Sequence, residues 1–117
     1  MEQTVLDIHE VIPGTGSYEW HLSGDRLLWS KGLLAVYGLT QAPDRGEGFF
    51  TSVHPEDRAR IRQEMAEVCA KADRFEHRFR IVRPDGRVRF VLDRGVVVRD
   101  ATGAAVKLSG VETDVTD

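Results

Sequence analysis

The residues of this chain that could do chemistry are few: four histidines, one cysteine and carboxylates scattered among them. His77 stands apart because it alternates with Phe75, Phe79 and Ile81, a period of two that puts all four on the covered face of a strand. An imidazole buried there needs a hydrogen-bond partner, since an unpaired one costs about 1–3 kcal/mol. Asp93 and Glu112, on later extended stretches, are the candidate partners. In a roomy polar pocket, such a histidine–carboxylate pair would be the acid–base machinery of a small enzyme. The competing readings are a satisfied core or rim histidine and a ligand contact in a cavity, an axial haem contact included.

The other candidates are explained without chemistry. His54 precedes Pro55, Glu56 and Asp57, which reads as the start of a helix rather than a metal site: proline suits the first helical position and acids favour the positive dipole end. Gly14-Thr15-Gly16 lacks the third glycine of a dinucleotide loop and leads into a strand pattern, so a turn is expected there. There is no G-x-S-x-G, H-E-x-x-H or P-loop sequence. The lone Cys69 excludes a disulfide within the chain and a C-x-x-C site. Neither catalytic residues nor a metal site are expected.

The chain must position these groups with 117 residues, 41% of them hydrophobic and 30% charged, which is the size of one domain. A net charge of −3 is too balanced to indicate a nucleic-acid or membrane partner. Residues 74–99 nevertheless hold eight arginines against three acids. Without a recognition helix or an aromatic platform, that stretch reads as the solvated face of a sheet, and no nucleic acid is expected. No apolar run reaches the roughly 18 residues of a membrane span, and no secretion pattern opens the chain. The expected location is the cytoplasm, with no membrane insertion by this segment.

Residues 3–12 place Val5, Leu6, Ile8 and Ile12 mostly on one side of a short helix stopped by Pro13-Gly14. That flanking helix (residues 1–13) is expected to precede the domain proper (14–117). Tyr18, Trp20 and Leu22 alternate with polar residues, and Arg26 to Trp29 returns after Ser23-Gly24-Asp25, a first hairpin. Ser30 caps a short helix carrying Leu33, Leu34, Val36 and Tyr37 and closed by Gly38. Residues 40–52 read as loop with at most short helical turns. The long helix from Pro55 carries Ile61, Met65, Val68 and Cys69 as one stripe. Three strands follow: one from residue 74, one spanning Arg87 to Arg99 after the Pro84-Asp85-Gly86 turn, and Val106 to Thr113. The class is α+β with an antiparallel sheet. Trp20, Trp29, Tyr37, Phe50 and Phe90 are assigned to the core.

Over nearly its whole length the sequence resembles a PAS domain of the subtype ending in the PAC motif. The resemblance is carried by Gly16-Ser17-Tyr18-Glu19-Trp20, Trp29-Ser30 with Tyr37-Gly38-Leu39, and Val53-His54-Pro55-Glu56-Asp57-Arg58. It continues through Phe79 to Phe90 (FRIVRPDGRVRF), Asp100 with Gly103, and Gly110 through Asp114-Val115-Thr116. It implies a five-stranded antiparallel sheet of order 2-1-5-4-3 curved around short helices and one longer helix. It also implies a sensory and dimerisation module rather than an enzyme, placed before a histidine kinase, a diguanylate cyclase or a similar output domain. Asp114 and Thr116 would form the signal-transfer junction, and the N-terminal helix is the candidate dimer contact. A core cavity for a haem, flavin or small ligand would have His77, Phe79, Trp29, Tyr37, Phe50 and Glu112 as its candidate wall.

Two departures bear on cofactors. The light-sensing flavin branch of the family uses a reactive cysteine in an Asn-Cys-Arg context, whereas Cys69 lies late on the long helix and the chain has no asparagine. Haem-binding members use a histidine in the long-helix region, and His54 only borders it. No cofactor is the leading expectation.

Overall fold

The computed structural model describes residues 13–117. The flanking helix expected over residues 1–13 falls, but for Pro13, outside them. Five strands and three helices follow one another in the order β1 (Thr15–His21), β2 (Arg26–Trp29), α1 (Lys31–Tyr37), α2 (Gly46–Ser52), α3 (Pro55–Lys71), β3 (Arg74–Val82), β4 (Val88–Arg99) and β5 (Ala105–Asp114). The strands form one antiparallel sheet of order β2-β1-β5-β4-β3, as the resemblance implies. The helices cover one face.

Local chemistry explains two of the helices. The Ser30 hydroxyl accepts from the Leu33 N–H at 3.2 Å, and Gly38 closes α1 in the left-handed region at φ 70°. His54 caps α3 through Nδ1, which accepts from the Glu56 N–H at 3.1 Å, with Pro55 behind it. At the other end Arg99 donates to the carbonyls of Val68, Cys69 and Ala72, adding to the Ala72 N–H bond that Val68 already accepts. In its first turn Asp57 accepts from the Arg80 backbone N–H at 2.8 Å and from the Arg80 guanidinium. The long helix is thus tied to β3 and β4 at both ends.

Two expectations are corrected. Residues 46–52 form α2 rather than loop. Gly46 and Gly48 each cost about 1 kcal/mol of helix propensity, but packing overrides it: Phe49 and Phe50 are buried, and Gly46 lies so close to the Trp20 indole that a Cβ would sit 2.3 Å from it. Phe90 is not core but 51% exposed, because pairing with Arg80 puts it on the outer face of the sheet. In addition, β1 starts already at Thr15, so the turn expected over Gly14-Thr15-Gly16 is confined to its beginning.

The core joins sheet and helices through Leu33, Val53, Ile61 and Ile81, all fully buried, each contributing about 1.5–3 kcal/mol over an exposed position. The closest approach is at Gly16, where a Cβ would lie 2.1 Å from the Leu33 backbone nitrogen. Backbone cannot yield there as a side chain could. Gly16→Ala is therefore expected to cost at least about 2 kcal/mol by forcing α1 off the sheet, and Asp57→Ala about 1–3 kcal/mol by orphaning the Arg80 N–H. Urea unfolding midpoints measure both; a Gly16→Ala midpoint equal to the natural one would refute the close approach.

Candidate functional site

Strand register brings the chemistry together. His77 pairs with Asp93, Asp93 with Glu112, and Glu112 with Gly16, one row running across β3, β4, β5 and β1 beneath the helices. The next row sets Tyr18 opposite Gly110, and the absence of a side chain there lets the tyrosine lie over the sheet: a Cβ on Gly110 would be 2.7 Å from its hydroxyl oxygen. That hydroxyl reaches Asp93, 2.9 Å from Oδ1 and 3.2 Å from Oδ2. From α1, the Tyr37 hydroxyl donates to Glu112 Oε1 at 2.5 Å. Asp93 is 1% exposed and Glu112 3%.

Two carboxylates buried side by side cannot both ionise cheaply. Burial first, and the Glu112 charge second, raise the Asp93 carboxyl well above its ordinary range, with the Tyr18 hydrogen bond opposing them. Burial pushes Glu112 up to about 7 against the Tyr37 hydrogen bond. Burial and the same carboxylates raise both tyrosines, keeping them protonated as donors. Ionising both carboxyls at once is therefore the costly state of the pair.

His77 does not join this system. Its ring stacks on Phe75 at 5.3 Å and its Nδ1 lies 2.8 Å from Glu64 Oε1 on α3. Its Nε2 has no partner among the described residues. Among the described residues no hydrogen bond links it to Asp93 or Glu112, so the pairing expected from sequence is replaced by one with Glu64.

Over the two carboxylates lies a gap of about 10 Å³ whose wall includes Tyr18, Trp20, Leu27, Trp29, Phe49 and Met65. Of the residues proposed from sequence, Trp29 and Glu112 border it and Tyr37 reaches it through its hydrogen bond. Phe79 and Phe50 stand behind it, each against Phe49 at 5.8 and 5.1 Å between ring centroids. Phe49 is the hub that sequence reasoning missed, hidden in a segment read as loop. Tyr18 carries a site role not assigned from sequence, although its alternation with Trp20 signalled it; Asp93, expected as a partner for His77, accepts from Tyr18 instead.

Haem and flavin do not fit. Pockets for such groups measure about 300–1,000 Å³, against room here for one water-sized group. His54 is engaged in capping α3, and burial raises the Cys69 thiol, the opposite of a reactive thiolate.

The second cluster lies where β5 ends. Asp114 accepts from Arg89 Nε at 2.8 Å and from the Thr116 N–H at 2.9 Å. The Thr116 hydroxyl accepts from the Phe90 N–H, and the Phe90 carbonyl from the Val115 N–H, both at 2.8 Å. The two residues expected at a junction thus clamp the departing chain to β4. Arg89 is one of four arginines of the basic stretch with such a role: Arg80 and Arg99 hold α3, and Arg83 packs on Gly38.

The buried pair sets a pH dependence of stability. Glu112 ionises at about 7 in the fold but at 4.5 in an unfolded chain. A raised carboxyl stabilises fully below the lower value, and that contribution disappears as pH rises toward the higher one, at about 1.4 kcal/mol per pH unit per proton. Glu112→Gln keeps the shape and an acceptor for Tyr37 but cannot ionise. It is expected to flatten the decline between about pH 4.5 and pH 7 and to unfold at higher urea than the natural protein above that range. An unchanged slope would remove Glu112 as its source.

Comparison with known proteins agrees with this architecture. A family model described as the PAS fold matches residues 26–112. The sensor protein FixL of Bradyrhizobium diazoefficiens is 26% identical over 103 residues, a match covering 87% of this chain and 20% of that protein. A sensory box histidine kinase/response regulator from Burkholderia thailandensis superposes with a TM-score of 0.77 at 24% identity, over 89% of this chain and 79% of that structure. The N-terminal domain of a diguanylate cyclase with PAS/PAC sensor from Marinobacter aquaeolei gives 0.78 at 22% identity, over 86% and 94%. With its sheet order, its helical cover and a family match spanning most of its length, this chain belongs to the PAS fold family.

Proposed function

We propose that this domain is the sensory and dimerisation module of a larger signalling protein and passes its signal through Asp114-Val115-Thr116 to a C-terminal output domain. The observation that carries the reading is the position of Glu112. It sits in the buried pair, two residues before Asp114 on the same strand and the same face. A change of charge or packing at Glu112 therefore acts on the clamp that aims the departing chain, and any ligand or partner preferring one sheet geometry would shift that balance by its differential affinity. Similarity to FixL and to the Burkholderia kinase supports a histidine kinase as output, and the Marinobacter relative a diguanylate cyclase as the alternative. The proposed location is the cytoplasm; no helix among the described residues is long and apolar enough to cross a membrane.

The dimer contact we propose is the outer sheet face. Phe90, Val96 and Val98 on β4 and Leu28 on β2 are exposed there, with Leu92 and Val111 half-buried between them. The apolar side of residues 3–12 is its proposed companion, joining the chain beside Gly14, whose carbonyl accepts from the Asp114 N–H. Light scattering of the whole chain, of a form lacking residues 1–12 and of Val96→Asp is expected to give a dimer for the first and a monomer for the other two. A mass unaffected by either change would overturn this contact. In the parent protein, Asp114→Ala is expected to uncouple output from signal by releasing Arg89 and the Thr116 N–H, while leaving the domain folded. Output regulated as before would overturn the junction.

A further inference from the structure

The free edge of the sheet, along β3, is closed over one half of its length and open over the other. In an antiparallel pair, successive residues turn their N–H and C=O alternately toward the partner strand and away from it. β3 and β4 pair without a shift from Arg74↔Val96 to Val82↔Val88, so Arg74, Glu76, Arg78 and Arg80 all turn theirs outward. At Arg80 the N–H donates to Asp57 Oδ2 and the carbonyl accepts from the His54 N–H, both at 2.8 Å. The Arg78 carbonyl accepts from the Arg60 guanidinium at 2.8 Å. Groups around the start of α3 thus stand in for a sixth strand. Toward Arg74 the substitution stops. Among the described residues no hydrogen bond reaches the Arg78 N–H, the N–H and C=O of Glu76 or the Arg74 C=O.

Unpaired strand backbone of this kind is a template for another strand, and there is room for one. Between Glu67, Val68 and Lys71 of α3 and Glu76 and His77 of β3 lies an open hollow of about 360 Å³. On the outer side the edge carries Arg74, Glu76 and Arg78, with Arg94 opposite Glu76 on β4. Glu76 is shared by two of these arginines, 2.9 Å from Arg94 Nε and 3.9 Å from an Arg78 nitrogen. Arg74 forms no ion pair among the described residues. The outer side is therefore net positive, and opposite charges on directly facing residues stabilise a strand pair. We propose that β3 from Arg74 to Arg78 is a docking edge for an extended acidic segment of a partner protein, which adds antiparallel to the sheet. Its acids face Arg74 and Arg78, and the residues on either side of the one opposite Glu76 turn apolar side chains into the hollow beside Val68. The inference goes beyond the sensor reading and needs neither the dimer contact nor the junction.

The probe is the peptide acetyl-Glu-Val-Thr-Val-Glu-amide, with its threonine opposite Glu76, added to the whole chain. In the free chain the Glu76 and Arg78 amides are expected to exchange with deuterium faster than those of Phe75 and His77, which face β4. Saturating peptide is expected to slow the first two by about tenfold or more. Methylating the threonine nitrogen, which points at β3, is expected to weaken binding by about tenfold or more, whereas methylating a valine nitrogen, which points away, leaves it within about twofold. Lysine in place of both glutamates is expected to weaken it as much as the threonine change. Glu76→Pro removes an N–H that bonds nothing, which an edge strand accepts, and is expected to fold and lose binding; the methylated peptides test the same contact on the natural chain. No slowing by the peptide, equal binding after threonine methylation, or equal binding of the lysine peptide would each overturn the proposal. So would Glu76 and Arg78 amides already slow in the free chain, either at every concentration, which means a closed edge, or only at high concentration, which assigns the edge to a second copy. The dimer and junction measurements stand whichever of these is found.

Discussion

Two carboxyl groups lie next to each other inside this domain, and much of its architecture is arranged around keeping them there. Asp93 and Glu112 face each other across β4 and β5 with almost no exposure. Burial on that scale is tolerated only when protons and hydrogen bonds replace lost water. Tyr18 crosses over Gly110 to supply one hydroxyl, and Tyr37 descends from α1 to supply the other. The helix can come that near because Gly16 leaves its backbone room. Strand register, helix docking and proton occupancy are thus one problem with one solution. Slipping β4 by a single residue would send Asp93 to solvent and bring Arg94 inside.

The arginines distribute this constraint outward. Arg80 holds the first turn of α3 through Asp57, whose carboxyl is lowered to about 2 chiefly by that hydrogen bond. Arg99 closes the far end of the same helix, and Arg89 closes the end of β5 on Asp114. A stretch that looks like a polyanion surface in composition is in large part a set of clamps between strands and the elements beside them. The clamp on Asp114 lies on the same strand and the same face as the buried Glu112.

Legibility differed from element to element for identifiable reasons. The capping residues Ser30 and Gly38, the His54-Pro55-Glu56-Asp57 start and the alternation of Phe75, His77, Phe79 and Ile81 are local signals, and each element stands as read. The helix α2 was hidden because two glycines argue against it, and its stability comes from Trp20, Phe49 and Phe50 meeting in space. Phe90 was misplaced because β4 is apolar on both faces, with Val96 and Val98 outward as well. Such a strand lacks the alternation that reveals its inner side.

Residue types and their spacing along the chain determined the strand and helix order, the caps and the turns, since those depend on neighbours within a few positions. They also carried enough pattern to place the chain in the PAS family. Which side chains meet was settled only by folding. His77 was adjacent to both carboxylates in prospect, yet it turned to Glu64, while Tyr18 and Tyr37, 75 residues away in sequence from the acids they serve, took its place. The reason is geometric: partners on different strands and helices are chosen by register and by the direction each side chain leaves its backbone, and neither is encoded within any single segment.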